Sequence, residues 1–416
     1  MQRISSDMTN RDMNYHLRLR EWKMNELNNK MAAQSRIKDL RNDPLGAARS
    51  TRFSSEITRL ERYGKNIETA RGVNAIAEGY LREANDILQR IREIGVQGGN
   101  GIYGKEEMGY MGEEVDQLLH ELVLIGNART ADGTTLFSGF KNATEPFKIT
   151  MGHAGNEAGQ RIVSVDYMGN IGENKTEISQ GAYAAVNMPG NHVFWAEFQQ
   201  IYSTTDATTY QVQADTSIKI DGVQIDLKEG DNVYAISDKI NNADIAVRAK
   251  LDPIRNSLVL STTTPHQMWL EDQGTGRVLE TLGILTNRPG QQPPLNINAN
   301  AQVFGGSLFD MVIHMRDSLF KGDVLQIGGS GLRGIDEGMN NLRNVIAELG
   351  SRDERLEVTG NRLNYESPEL VSLKAKETDL DLTQAVTELK MLEYTHKAAL
   401  STTARILQPT LLDFLR

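Results

Sequence analysis

The stretch that most limits what this chain can fold into is its last fifty residues, Ser367 to Arg416. Reading a position every three or four residues gives Leu382, Ala385, Leu389, Leu392, His396, Ala399, Thr403 and Ile406, with Val386, Leu400 and Leu407 widening the seam. Pro368 suits a first helical turn and Pro409 stands near the end. The spacing therefore predicts one uninterrupted helix of roughly 40 residues, about 60 Å at 1.5 Å per residue. A helix that long with so modest a stripe cannot bury it alone. It requires a partner helix, and the opposite end of the chain supplies candidates.

A length of 416 residues suggests two or three domains. Apolar content of 39%, aromatic content of 6% and a mean hydropathy of −0.44 describe a chain poor in large core-forming side chains, which favours elongated helical parts over one large globule. There is no cysteine, so disulfides, thiolate metal sites and thiol nucleophiles are excluded. No apolar run reaches the length of a membrane span. Met1 to Lys30 lacks the apolar core of a cleavable signal peptide, so export would use a route that reads something else. The net charge of −10 argues against general nucleic-acid binding. Charge is uneven, however: Met1–Tyr63 carries 13 Lys/Arg against 8 Asp/Glu, whereas the C-terminal stretch is rich in Glu and Asp from Glu366 to Glu393. Complementary ends fit helices that pair, although two independently solvated faces would look the same.

Along the chain, Met13, Leu17, Met24, Leu27 and Met31 predict a first helix from about Asn10 to Ala33. Asp43 can cap a new helix whose first residue is Pro44, and the seam Ile67, Ala70, Ala77, Leu81, Ala84, Leu88 and Ile91 carries it to about Ile94. The run Gly98-Gly99-Asn100-Gly101 stops it. Met108, Met111, Val115, Leu118, Leu122 and Ile125 form a third seam that must turn back on the second, since the loop is short. From Leu136 the period changes. Strands are expected at Leu136–Phe140, Pro146–Ile149, Arg161–Tyr167 and Val193–Trp195, followed by a compact module from Ser217 to Gly283. In that module a hairpin turns at Asp221-Gly222, a helix spans Asn232–Asn242, two strands lie at Ile245–Leu251 and Ser257–Ser261, and a short helix at Gly276–Gly283 closes it. Helical signal returns at Leu308–Leu319 and from Leu332 towards Leu363. The expected fold class is α+β and multidomain: long N- and C-terminal helices paired in a coiled-coil rod, with a β-rich domain inserted between them. The expected segments are 1–135, 136–304 and 305–416.

The search for catalysis returns little. Gly329-Ser330-Gly331-Leu332-Arg333-Gly334 is a literal G-x-G-x-x-G, but a dinucleotide site needs a buried strand before it and another after one ordinary helix. Asp323–Ile327 is short and half polar, and a long helix succeeds the glycines with no strand after it, so they read as a loop before a helix. His16, His120, His153, His192, His266, His314 and His396 never fall at metal-ligand spacing, and no serine stands in G-x-S-x-G. The methionines at helical spacing read as adaptable packing. No enzyme, metal or cofactor is expected.

Four segments carry a resemblance. They are Arg3-Ile4-Ser5-Ser6-Asp7-Met8; Asn42-Asp43-Pro44 with Ala47-Ala48; Asn127-Ala128-Arg129-Thr130 through Asp132-Gly133, Leu136-Phe137-Ser138-Gly139 and Pro146-Phe147; and Leu411-Leu412-Asp413-Phe414-Leu415-Arg416. They resemble the bacterial flagellin family of axial proteins, the last segment being similar to the members that join hook to filament. The Ser217–Gly283 module also resembles one inserted in flagellins and hook proteins. The resemblance implies a secreted, flagellum-located structural protein, exported unfolded by the flagellar type III apparatus, whose terminal helices order on assembly. It implies as partners the first hook-associated protein on the hook side, flagellin on the filament side, further copies of itself in a ring, and an export chaperone on the C-terminal helix. Whether such a flagellum is extracellular or periplasmic is left open by the residues.

The expected assembly interface is Ile4, Met13, Leu17, Met24, Leu27, Met31, Leu382, Ala385, Leu389, Leu392, Ala399, Ile406, Leu411, Leu412 and Leu415, with Asp43 and Pro44 as the helix-turn signature. Weakly apolar seams of this kind are marginal alone and gain burial from neighbours. Two other readings fit the same residues: a filament flagellin, and a surface- or carbohydrate-binding module on a helical stalk with Trp195, Tyr202 and Trp269 as contacts. For those three aromatics the plain alternative is core packing.

Overall fold

The computed structural model describes residues 6–38, 41, 43–152, 160–274, 276–288 and 290–406. It divides into two compact units, one formed by residues 1–65 with 359–416 and the other by 66–358. Two helices run through the division: α2 spans Pro44–Gly99 and α9 spans Leu332–Thr378. The first unit adds α1, Ser6–Ala32, and α10, Leu382–Ile406.

The second unit contains the β-rich middle of the chain. After α3, Lys105–Gly126, come the antiparallel hairpins β1–β2, Phe147–Gly152 with Arg161–Tyr167, and β3–β4, Lys175–Ser179 with Ala182–Ala185. A helical turn α4, Gly190–Val193, leads to β5, Gln200–Tyr202; β6, Thr216–Ile220; β7, Val223–Leu227; and α5, Val233–Asn242. Next come β8, Val247–Leu251; β9, Leu258–Thr262; β10, Leu270–Gln273; the turn α6, Val278–Thr281; β11, Gln302–Phe304; α7, Leu308–Lys321; and the short α8, Val324–Gln326. The larger sheets are all antiparallel, ordered β10-β6-β7 and β11-β5-β9-β8.

Local chemistry explains most boundaries. Asn232 caps α5 by accepting from the Ala235 N–H at 2.9 Å, and Ser307 with Asp310 forms a capping box at α7. The β6–β7 turn holds Asp221 and Gly222 at φ +48° and +84°, the left-handed pair that a two-residue hairpin needs. Arg90 pairs with Glu114 at 2.7 Å, and this places α3 antiparallel to α2 across the 100–104 loop.

Two cores form. The first joins Leu81, Leu88 and Ile91 of α2, Val115, Leu119 and Leu122 of α3, Val312 of α7 and Ile335, Leu342 and Leu349 of α9. Phe137, Phe147, Phe194 and Phe309 lock it at one end, with ring centroids 4.9–5.5 Å apart. The second core gathers Ile201, Ile218, Ile220, Leu227, Ile236, Ile240, Leu258 and Leu260 between the two larger sheets and α5.

Several expectations are corrected. The C-terminal helix is not continuous: Pro368 lies inside α9, and the chain breaks at Asp379–Asp381 before α10. Leu136–Phe140 and Val193–Trp195 are not strands. Phe137 and Phe194 are instead drawn into the aromatic cluster, and the Phe137 carbonyl accepts from the Gly190 N–H at 2.8 Å. The G-x-G-x-x-G segment is not a loop. Ile327–Gly331 is a π-helical turn running into α9, and buried Gly331 lies against Met315 of α7. Trp195 and Trp269 are core residues, which removes them as surface contacts, while Tyr202 stays half-exposed. Among the described residues no helix is long and apolar enough to cross a membrane.

Arg316 of α7 is fully buried and meets Asp116 of α3 at 2.7 Å and Asp317 at 2.7 Å. Truncating Asp116 strips the cation of its buried partner, so Asp116→Ala should destabilise by about 3–5 kcal/mol, read as a lower urea midpoint. Asp310 works in the other direction. Burial lifts its carboxyl above the ordinary range, against the lowering effect of the Ser307 hydrogen bonds. A raised group stabilises the fold below its unfolded value, and that contribution is lost as pH rises through the folded value. Asp310→Asn keeps an acceptor for Ser307 and removes the buried charge. Its melting temperature should equal or exceed the parent's at neutral pH, with the advantage vanishing in acid.

Candidate assembly interface

Helices α1 and α10 pack against each other within the first unit. The pair is antiparallel: Arg20 Nη1 donates to the Thr395 carbonyl at 2.7 Å, His396 faces Glu21 at 3.9 Å, and Ser35 bridges Asp379. The buried stripe of α1 is the expected one, since Met13, Leu17, Met24, Leu27 and Met31 are all half-buried. On α10, Ala385 is buried and Leu389, Leu392, Ala399 and Thr403 are half-buried, whereas Leu382 is 47% exposed at the first turn. Ile4, Leu411, Leu412 and Leu415 lie outside the described residues, as does the side chain of Ile406.

The seam is incompletely filled. Met13, Leu17, Ala399, Thr402 and Thr403 line an open groove of about 600 Å³. His396 sits in the seam with Nδ1 buried and, among the described residues, no hydrogen-bond partner for it. Small and polar residues at seam positions leave this space because they cannot reach across an interhelical gap that Leu or Ile would fill.

The pairing also exposes residues that the seam pattern passed over. Tyr15, Leu19 and Trp22 recur at i, i+4 and i+7, about half a turn from the buried stripe at 3.6 residues per turn, and are 65%, 36% and 61% exposed. On α10, Met391 and Tyr394 also face away from the buried stripe, at 65% and 75% exposed. Their signal was present in the sequence as a second apolar periodicity in helices already assigned one face.

The two helix breaks meet as a clasp. Asp43 accepts from the Gly46 N–H at 2.9 Å and pairs with Arg36 at 3.0 Å, while Pro44 opens α2. Arg36 N–H donates to the Thr378 carbonyl at 2.7 Å, Arg36 Nη2 to the Glu377 carbonyl at 2.8 Å, and Leu380 N–H to the Gln34 carbonyl at 3.3 Å. Arg49 reaches the Glu377 carboxylate at 3.2 Å. Asp381 starts α10 by accepting from Thr383 and Gln384 N–H. The pattern Asp381-Leu382-Thr383-Gln384 is a capping signature that could have located this break. Gly46 lies close under this capping contact: a Cβ there would stand 2.6 Å from Asp43 Oδ2 and 2.8 Å from Ile37 Cδ1, so a larger residue would push both side chains aside.

Comparison with known proteins gives a consistent picture. Residues 4–142 match the model of the bacterial flagellin N-terminal helical region, and residues 332–415 that of the C-terminal helical region. The flagellar filament 33 kDa core protein of Treponema phagedenis is 34% identical over 110 residues, 26% of this chain and 38% of that protein. Flagellin FlaB1 of Treponema pallidum is 32% identical over 137 residues, 32% of this chain and 48% of that protein. The chain thus spans less than half the length of these curated relatives. Among solved structures, a flagellar hook associated protein-3 from Legionella pneumophila superposes with a TM-score of 0.47 at 18% identity, covering 78% of this chain and 97% of that one.

The clasp should respond to acid. The Gly46 N–H, followed by Arg36, holds the Asp43 carboxyl below its usual range. A depressed carboxylate stabilises above its unfolded value, and that contribution is lost as pH falls through the folded one. The protection factors of the Gly46 and Arg36 amides against hydrogen exchange should fall as acid protonates Asp43, and Asp43→Asn should show the lower protection already at neutral pH.

Proposed function

Because the chain belongs to the bacterial flagellin family, whose two terminal helical regions together match more than half of it, we propose that it is a structural axial protein of the flagellum joining hook to filament, the third hook-associated protein. The observation that carries the axial reading is the α1–α10 pair, which covers one apolar stripe of α1 and leaves Tyr15, Leu19 and Trp22 in water. A helix with two stripes and, among the described residues, one partner helix along its length is completed by helices of neighbouring subunits. The ending Leu411–Arg416, which resembles that of junction members, supports the position between hook and filament.

On this reading the predicted seam residues Leu17, Leu27, Leu389 and Leu392 hold α1 to α10, and the exposed stripe contacts the next subunit. The neighbours are the first hook-associated protein, flagellin and further copies of this chain, with an export chaperone covering the C-terminal helix before assembly. The work is mechanical rather than enzymatic. A filament flagellin is the second reading, favoured by the filament proteins among the relatives. Salt-induced growth of the pure protein separates the two: a junction protein adds limited layers, whereas long filaments would establish the flagellin.

Two variants test the interface itself. Charged residues at Leu389 and Leu392 should leave the second unit's melting unchanged and stop incorporation; normal filaments from that variant would sink the proposal. Trp22→Asp should do the same without separating α1 from α10. In the parent, Trp22 emission should shift to the blue on assembly, because Trp195 and Trp269 are already buried and contribute no change.

A further inference from the structure

The sheet β11-β5-β9-β8 turns one face into the second core, and on its other face Val259 of β9 is covered while the strands on either side carry more exposed side chains. Alternation along β5 and its flanks decides which is which. Gln199, Ile201 and Ser203 are buried, whereas Phe198 is 53% exposed and Gln200 and Tyr202 are half-buried. Strand register puts Phe304 opposite Gln200 and Gln302 opposite Tyr202, so both share the outward face. Phe304, 55% exposed, meets Tyr202 edge to face with centroids 5.6 Å apart. Across β9, the outward positions of β8 are Arg248 and Lys250, both exposed. Arg255, in the β8–β9 turn, donates to Gln302 Oε1 at 2.8 Å.

This face therefore collects two exposed phenylalanines, the half-buried Tyr202 and three cations, and no Asp or Glu occupies an outward position of its four strands, in a chain of net charge −10. A patch of rings left in water beside a local excess of positive charge marks a contact surface. We propose that it binds an acidic polysaccharide, with sugar rings lying on Phe198, Tyr202 and Phe304 and carboxylates meeting Arg248, Lys250 and Arg255. Sugar rings present apolar C–H faces to aromatic planes, and the amides of Gln200 and Gln302 stand among the rings to meet hydroxyls. A nucleic acid fits less well, since one phosphate per nucleotide calls for a denser row of cations and the acidic chain repels it. The inference stands independently of the junction role.

Affinity electrophoresis of the full chain tests it, in gels containing polygalacturonate, dextran or a single-stranded oligonucleotide. Polygalacturonate should retard the protein, increasingly at low salt, and neutral dextran should not. Phe304→Ala should weaken retardation by about tenfold, the scale of one lost aromatic contact. Lys250→Glu with Arg255→Glu should abolish it. These last two side chains are exposed, so the double variant carries the test even if Phe304→Ala fails to fold, with melting temperature as the control. No retardation of the parent, equal retardation of parent and double variant, or preference for the oligonucleotide would each overturn the assignment.

Discussion

An α-helix with apolar side chains on two opposite sides cannot satisfy both against one neighbour, and α1 is such a helix. Its first stripe, from Met13 to Met31, lies against α10; its second, Tyr15, Leu19 and Trp22, does not. Neither helix is strongly apolar, and the groove beside Met13 and Ala399 shows that even the covered seam is loosely filled. Burial withheld within one chain is burial available between chains. That is the physical basis on which a self-assembling member of this family can be built.

The first unit compensates for the weak seam at its bends. Backbone and side-chain hydrogen bonds join the segment after α1 to the segment between α9 and α10, so two interruptions that would each fray alone satisfy one another's free N–H and carbonyl groups. The second unit obeys a different rule. Its helices meet over fully buried Leu, Ile and Phe side chains, and it tolerates a buried Arg316 because two carboxylates stand at hydrogen-bond distance.

Much of this was legible because the periodicities are long. The Met13–Met31 stripe, the turn at Asp43-Pro44, the α2–α3 hairpin and the Asp221-Gly222 hairpin each rest on a local rule that tertiary packing had no reason to override. The misses share a cause. Phe137 and Phe194 sit in short apolar runs that read as strands, yet their rings were needed elsewhere, and no local signal reveals a partner more than a hundred residues away, such as Phe309 for Phe194. The glycines Gly331 and Gly334 read as part of a loop before a helix. They serve helix contact, since their missing Cβ atoms admit Met315 and Met311 of α7.

Sequence alone determined the long helices and the Asp221-Gly222 hairpin, the family and the α1 stripe that pairs, because these depend on residues within a few turns of one another. Tertiary structure decided which stripe stayed uncovered, where the C-terminal helix broke and which aromatics became surface. Those outcomes depend on what stands opposite. Pro368 could enter a helix interior, Asp379–Asp381 could end one against Gln34–Arg36, and Phe304 could remain in water while Trp195 did not. The free energy of each choice lies in contacts between residues hundreds of positions apart, which a periodicity does not record.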